Sequence, residues 1–326
     1  MISPGSRRDS RHSRVLMPVL LSACAIPISM LFWIVNVAYL ILWPDATANS
    51  TEEHSVISPW RWLASVVIPL MFLLWGLRKK SIDISGAILA LMAFFVTGSK
   101  VTKFRSARKR KFEADFKEGG QRNWIQVLCN VGMAMQLAIL YLLDIGSGER
   151  PIDFDKEYRS SWLSVGLIGV FACCNGDTWA SEIGTVMGTG DPFLITTKRK
   201  VPRGTNGGVS WIGLLCSTVG GLVIGLFCYI TILNTVDTAV LQLAAPQWPI
   251  VVVGAFAGLF GSILDSILGA TLQYSGVDEK GIIVERPGKG IKYICGKQIL
   301  DNHSVNLLST IGVALILPRI ANIFWP

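Results

Sequence analysis

Hydrophobic residues in this chain run in long unbroken stretches, without the rhythm of a helix that has one wet face. The stretches are 15–43, 58–77, 123–143, 160–181, 208–233, 246–270 and 302–323, and an eighth, 82–97, is shorter. Runs of about 20 residues match the hydrocarbon core of a bilayer when helical, and lipid cannot satisfy an open strand edge. The pattern therefore predicts an all-α, polytopic integral membrane helical bundle of seven to eight apolar segments. Residues 1–14 carry Arg7, Arg8, Arg11 and Arg14. The apolar run that follows is longer than a signal-peptide core and has no small-residue cleavage site, so it reads as an uncleaved anchor. A basic tail, 1–14, then precedes a single multi-pass domain, 15–326.

The polar connections sort by charge. The tail, 78–80, 98–122, 198–203 and 274–300 are basic or mixed, whereas 44–57, 144–159 and 234–245 are acidic or uncharged overall. Basic loops stay cytoplasmic, which predicts a cytoplasmic N-terminus; the expected setting is an endomembrane. Because 78–80 and 98–122 are both basic, 82–97 must cross twice or not at all. Sixteen residues make about 24 Å of helix, too short for two passages. The stretch is thus expected to be re-entrant, interfacial, or what is left of a helical hairpin.

Composition agrees: 51% of residues are hydrophobic and 16% charged, against about 25% charged in soluble domains. The net charge of +8 lies in loops, not in a basic soluble domain, so nucleic-acid binding is not indicated. Seven cysteines lie mostly in apolar runs with no Cys-x-x-Cys pair, and read as small packing residues. With three histidines in all, catalysis by a Ser–His–Asp or Cys–His pair is poorly supported.

The candidate chemistry lies in acidic residues near segment ends. Asp177, with Ser181 one turn on and Glu182 beside it, sits near the inner end of 160–181. Asp265 sits near the inner end of 246–270. Asp301, with Asn302 and Asn306, opens 302–323, and Asp278 lies in the loop before it. Loop parity puts all of them on the cytoplasmic side. A carboxylate inside an apolar segment is costly and marks a polar cavity or a partner; the alternatives are an ion pair or a hydrated helix end, and for Asp301 a helix N-cap. Lys198, Arg199, Lys200 and Arg203 precede Gly204-Thr205-Asn206-Gly207-Gly208. Such a turn at a helix N-terminus can cradle phosphate with backbone N–H groups, although Asn-Gly-Gly is also an ordinary turn. It is not a P-loop.

Six strings carry a family resemblance: Ile57-Ser-Pro-Trp-Arg-Trp62, Lys117-Glu-Gly-Gly-Gln-Arg-Asn-Trp124, Gly176-Asp-Thr-Trp-Ala-Ser-Glu182, Val201-Pro-Arg-Gly-Thr-Asn-Gly-Gly208, Ala245-Pro-Gln-Trp-Pro249 and Leu300-Asp-Asn-His-Ser-Val-Asn306. Over nearly its whole length the chain resembles the transmembrane protein 19 family. A wider family shares Asp-Thr-x-x-Ser-Glu, Gly-Thr-Asn-Gly-Gly and Asp-Ser-x-x-Gly-Ala, and includes the plant phytyl-phosphate kinase. Relatives have room for two spanning helices between Gly86 and Lys100, where this chain has one short stretch.

The resemblance implies a Mg²⁺-dependent kinase of a phytyl or polyprenyl monophosphate at the cytoplasmic leaflet. Asp177, Glu182 and Asp265 are then expected to hold Mg²⁺, with Ser181, Asp301, Asn302 and Asn306 around them. Lys198, Arg203 and Gly204, Thr205, Asn206, Gly207 and Gly208 are expected to bind the phosphates of a nucleoside triphosphate. The alternative is a non-enzymatic transporter or lipid-binding protein. The bilayer and an isoprenoid phosphate are the expected partners, and nucleic acid is not.

Overall fold

The computed structural model describes residues 85–103 and 124–325, apart from 147, 189 and 280. The tail 1–14, the segments 15–43 and 58–77 and most of the loop 98–122 lie outside the described residues. One compact unit comprises 84–141 with 149–326; of the other, 1–83 with 142–148, only the second piece is described.

Six long helices are described: α1 (Ser85–Lys103), α2 (Trp124–Asp144), α3 (Tyr158–Trp179), α5 (Trp211–Thr235), α7 (Pro249–Leu272) and α8 (Asn302–Phe324). A π-helical turn, Ala180–Gly184, and the short α4 (Thr185–Met187) extend α3, and α6 (Thr238–Leu243) precedes α7. The segment ends read from hydropathy fall within a few residues of these helices. Three of them, α5, α7 and α8, are long and apolar enough to cross a membrane. Helix α3 is long enough but more polar, because it sits in the middle of the unit and packs on α1, α5, α7 and α8.

From Ser85 on, the stretch 82–97 lies in α1, which is not among the helices long and apolar enough to cross. Loop charge called for two passages or none; the described residues here form one 19-residue helix, α1, about 28 Å long. The helix continues to Lys103, past the expected start of the basic loop at 98. Ala90, Ala93 and Phe94 are buried on it, and it packs along α3 and α5.

Glycine lets the helices touch backbone to backbone. A methyl group on Gly221 of α5 would lie 2.2 Å from the Gly254 carbonyl oxygen of α7, and one on Gly176 of α3 would lie 2.7 Å from Gly258 Cα. Without a hydrophobic drive between helices in lipid, such close packing supplies the association energy. The contacts also fix direction. Gly184 meets Gly213 whereas Gly176 meets Ser217, and Gly220 meets Asn175, so α3 and α5 are antiparallel. Gly225 meets Ile250 and Gly221 meets Gly254, so α5 and α7 are antiparallel too. On α8, Leu300 bonds back to Leu272 and Gly312 meets Leu264, again antiparallel to α7. The C-terminal ends of α3 and α7 therefore share one end of the bundle with the first turns of α5 and α8.

That end carries the short strands, which hydropathy did not foretell. β1 (Phe193–Leu194) pairs antiparallel with β2 (Gly208–Val209). β3 (Ser275–Val277), β4 (Ile283–Val284) and β5 (Lys292–Cys295) form an antiparallel sheet ordered β4–β3–β5. Leu194, Val201, Ala270 and Cys295 pack together and join hairpin, helix and sheet. The cysteine reading holds among the described residues: Cys129, Cys173, Cys174, Cys228 and Cys295 are buried, Cys216 is half-buried, and no disulfide joins them.

Candidate functional site

Asp265, two turns from the end of α7, is the best-held of the expected carboxylates. The Asn306 amide of α8, oriented by its surroundings, donates to Asp265 Oδ2 at 3.0 Å and to the Asn302 carbonyl at 3.2 Å. Its other end lies 3.3 Å from the side-chain oxygen atom of Asn130 on α2. Ser309 Oγ stands 3.5 Å from Asp265 Oδ2, while donating to the Asn306 carbonyl at 2.9 Å. Asn130, Ser309 and Asn175 were not singled out from the sequence. Ser309 was within reach, since Asn302, Asn306 and Ser309 follow the i, i+4, i+7 stripe of one helix face. Asn130 gave no comparable signal, being one amide within an apolar run.

Asp177 lies on the last turn of α3. It is half-buried, as are Glu182 and Asp265. Its carboxylate is within electrostatic reach of Glu182 and of Asp265, so acidic side chains from two helices gather at this end of the bundle. The π-helical turn is what brings Glu182 round: one extra residue per turn swings position 182 toward the face of Asp177, where regular helix would carry it away. Such turns recur at functional sites. The face-sharing expected of Asp177 and Ser181 presumed regular helix, and Ser181 is exposed, its hydroxyl donating to the Thr178 carbonyl at 3.2 Å.

Beneath Asp177, Asn175 is fully buried. Its amide donates to the Gly220 carbonyl at 2.8 Å and accepts from the Thr97 hydroxyl at 3.0 Å. Three helices, α1, α3 and α5, are thereby tied together two residues from the carboxylate.

The other expected groups divide. Gly207 places the 204–208 loop against the last turns of α7, where a methyl group would lie 2.4 Å from Ala270 Cβ and 2.6 Å from the Ser266 carbonyl. Its φ of +76° also demands glycine. The loop thus lies against Ser266 and Ala270 on the last turns of α7, but it is not an open cradle. The N–H of Thr205 donates to Pro202, that of Asn206 to Ser275 Oγ at 3.1 Å, and that of Gly208 to Thr205 at 2.9 Å. Nor does it open a helix: β2 and the N-cap Ser210, which accepts from Gly213 at 3.1 Å, intervene before α5. Arg203 donates to the carbonyls of Gly188 at 2.6 Å and Gly190 at 3.3 Å, fastening the chain that leaves α4. Lys198 is exposed in a tight turn with φ +56°. Asp301 is the N-cap of α8, accepting from Ser304 at 2.8 Å, and Asn302 is exposed beside it. Asp278 closes the β3–β4 turn, accepting from Ile282 at 2.7 Å.

Among the described residues no three His, Cys, Asp or Glu side chains converge closely enough to hold one metal ion. A cage of Asp177, Glu182 and Asp265 is therefore not formed in this geometry. The donors present are nonetheless all oxygen, from carboxylates on two neighbouring helices. That fits Mg²⁺, which is bound by one or two carboxylates with water and substrate phosphate completing the shell.

Fold and site define a polytopic helical membrane protein with an acidic, amide-braced cluster at one end. The chain belongs to the family described as integral membrane protein DUF92, whose model matches residues 74–314, in keeping with the resemblance read from its motifs. It is 39% identical over 282 residues to Protein PGR of Arabidopsis thaliana, covering 81% of this chain and 97% of that protein. It is 27% identical over 229 residues to an uncharacterized membrane protein of Methanocaldococcus jannaschii, covering 70% and 74% respectively. It is also 28% identical over 233 residues to Protein VTE6, chloroplastic, of Arabidopsis thaliana, covering 71% and 63%. No solved structure matches.

Proposed function

We propose that this protein is a Mg²⁺-dependent kinase that phosphorylates an isoprenoid monophosphate, of phytyl or polyprenyl type, at the cytoplasmic leaflet of an endomembrane. The observation that carries this reading is the meeting of Asp177 and Asp265 from separate helices at one end of the bundle, with Asn306 donating to the second. Transport sites lie toward the bilayer midplane, whereas Asp265 is seven residues from the end of α7, about 10 Å by helix rise.

In the reaction a phosphate oxygen of the acceptor attacks the terminal phosphorus of a nucleoside triphosphate. A P–O bond forms, the bond to the bridging oxygen breaks, and the nucleoside diphosphate leaves with that electron pair. The acceptor is already anionic, so no side-chain base is needed, in keeping with the few histidines. Bound Mg²⁺ would neutralise charge on the phosphates, and such positioning supplies most of the catalysis in phosphoryl transfer. Asp177 and Asp265 would hold it, and Glu182 would add negative charge nearby. Asn306 and Ser309 keep Asp265 aimed. The basic run 198–200 would draw the triphosphate toward this end of the bundle.

The test is Mg²⁺-dependent conversion of phytyl monophosphate to the diphosphate by the purified protein, across a panel of nucleoside triphosphates, with Asp177→Ala alongside. Turnover that Asp177→Ala abolishes supports the reading. A folded wild-type protein with no turnover on any donor overturns it and favours transport, and a variant as active as wild type overturns the metal site placed at Asp177.

A further inference from the structure

The end of the bundle that carries the carboxylates also carries a rigid rim of exposed aromatic, aliphatic and basic side chains. The sheet β3–β4–β5 joins α7 to α8 with no slack. Lys297 N–H donates to the Thr271 carbonyl at 3.0 Å, and the N–H groups of Ile299 and Leu300 donate to that of Leu272 at 3.1 and 2.9 Å. Cys295 pins the base of the sheet into the cluster with Leu194, Val201 and Ala270. Because α7 and α8 are both of crossing length, the sheet is held at a bilayer surface.

Two large apolar side chains on this segment face outward, Tyr293 at 60% exposure and Ile299 at 55%, beside the exposed Lys292 and Lys297. Trp211, the first residue of α5, is 78% exposed and heads a stripe of exposed Leu215, Leu222 and Leu226 along that helix. A stripe on a spanning helix faces lipid, so the rim continues a lipid-facing surface and is not an isolated patch for a soluble partner. Amphipathic aromatics and lysines coexist at headgroup depth, where rings meet acyl chains and ammonium groups meet phosphate.

We propose that this rim seats in the headgroup layer of an anionic leaflet, with Lys292 and Lys297 paired to lipid phosphates and Tyr293, Ile299 and Trp211 at the acyl boundary. The inference is independent of the kinase reading. It is tested by titrating the full chain, in zwitterionic micelles, with short-chain phosphatidylglycerol or phosphatidylcholine and counting bound lipids by native mass spectrometry. Phosphatidylglycerol is expected to bind in preference. That preference should fall roughly fivefold for each of Lys292→Gln and Lys297→Gln, at about the strength of one surface lysine. Arg319→Gln, at the far end of α8, should leave it unchanged. Equal binding of the two lipids, or a preference that survives the double variant, overturns the proposal. So does displacement of phosphatidylglycerol by inorganic phosphate at matched concentration, which would assign the lysines to a free phosphate.

Discussion

The Asn306 amide donates to Asp265 Oδ2 at 3.0 Å, joining α8 to α7 across the space where the charge of Asp177 is felt. A carboxylate held on one oxygen is fixed in direction. Partners that orient ligating groups in this way typically contribute 10–100-fold to metal affinity or activity. Asn306→Leu is therefore expected to weaken Mg²⁺-supported turnover roughly 10–100-fold, chiefly as a higher Mg²⁺ requirement. A Mg²⁺ titration of the variant against wild type checks this; an unchanged half-saturating concentration would reduce Asn306 to a packing residue.

The placing of Asp177 within electrostatic reach of both Glu182 and Asp265 should cost stability when no cation is present. Asp177→Asn removes one of the charges, so its Tm in EDTA should exceed that of wild type, by about 2–4 °C for each kcal/mol of repulsion relieved. Added Mg²⁺ should raise the Tm of wild type and leave Asp177→Asn nearly unmoved, by mass action on a site the variant lacks. Thermal unfolding of both proteins with and without Mg²⁺ gives the four values. The reverse order in EDTA would mean that Asp177 is paired and not repelled.

Much of the architecture was written in hydropathy, because a helix in lipid needs little more than length and apolarity. The ends of α2, α3, α5, α7 and α8 follow from it, and loop charge with loop parity put Asp177 and Asp265 at one end before any contact was known. At α1 hydropathy was less exact: the helix runs on to Lys103, past the expected end at 97. Details that depend on backbone hydrogen bonding were illegible. The π-helical turn that brings Glu182 round breaks the 3.6-residue arithmetic without a sequence mark. Asp278 and Asp301 have the same chemistry as Asp265, and only the structure shows them spent on a turn and a helix cap. The glycine-rich loop looked like a phosphate cradle because glycine serves close approach to any surface, and here that surface is the end of α7.

Close helix packing gives a sharper test than the site does. A methyl group on Gly221 would lie 2.2 Å from a backbone oxygen atom of Gly254, which cannot yield as a side chain would. Gly221→Ala is expected to cost about 1–3 kcal/mol, the usual range for overpacking. Gly190→Ala, with nothing within 4 Å of the added methyl, should be neutral. The two Tm values measured in one detergent decide it, and equal Tm values would mean that α5 and α7 are farther apart.

At the opposite end of the bundle, Asp153 sets a pH limit on stability. It is 4% exposed and its Oδ1 accepts from the N–H groups of Asp155 at 3.2 Å and Lys156 at 3.0 Å. Its Oδ2 accepts from Ala245 at 3.2 Å and lies 3.6 Å from the Lys156 ammonium. Burial opposes its ionisation, but these N–H donors and the ammonium outweigh burial and hold its pKa below 3.8. The sign follows: a carboxyl group whose folded pKa is depressed stabilises the fold above its unfolded value, and the contribution fades as pH falls through the folded pKa. Asp153→Asn keeps the shape and loses the charge. At pH 7 it should cost about 1.5–3 kcal/mol, the scale of a hydrogen bond to a charged group. The gap between wild type and variant should narrow as pH drops below 3.8. Unfolding of both proteins from pH 7 to pH 3 provides the curve; a gap that stays constant across that range would show the carboxylate to be held by shape alone.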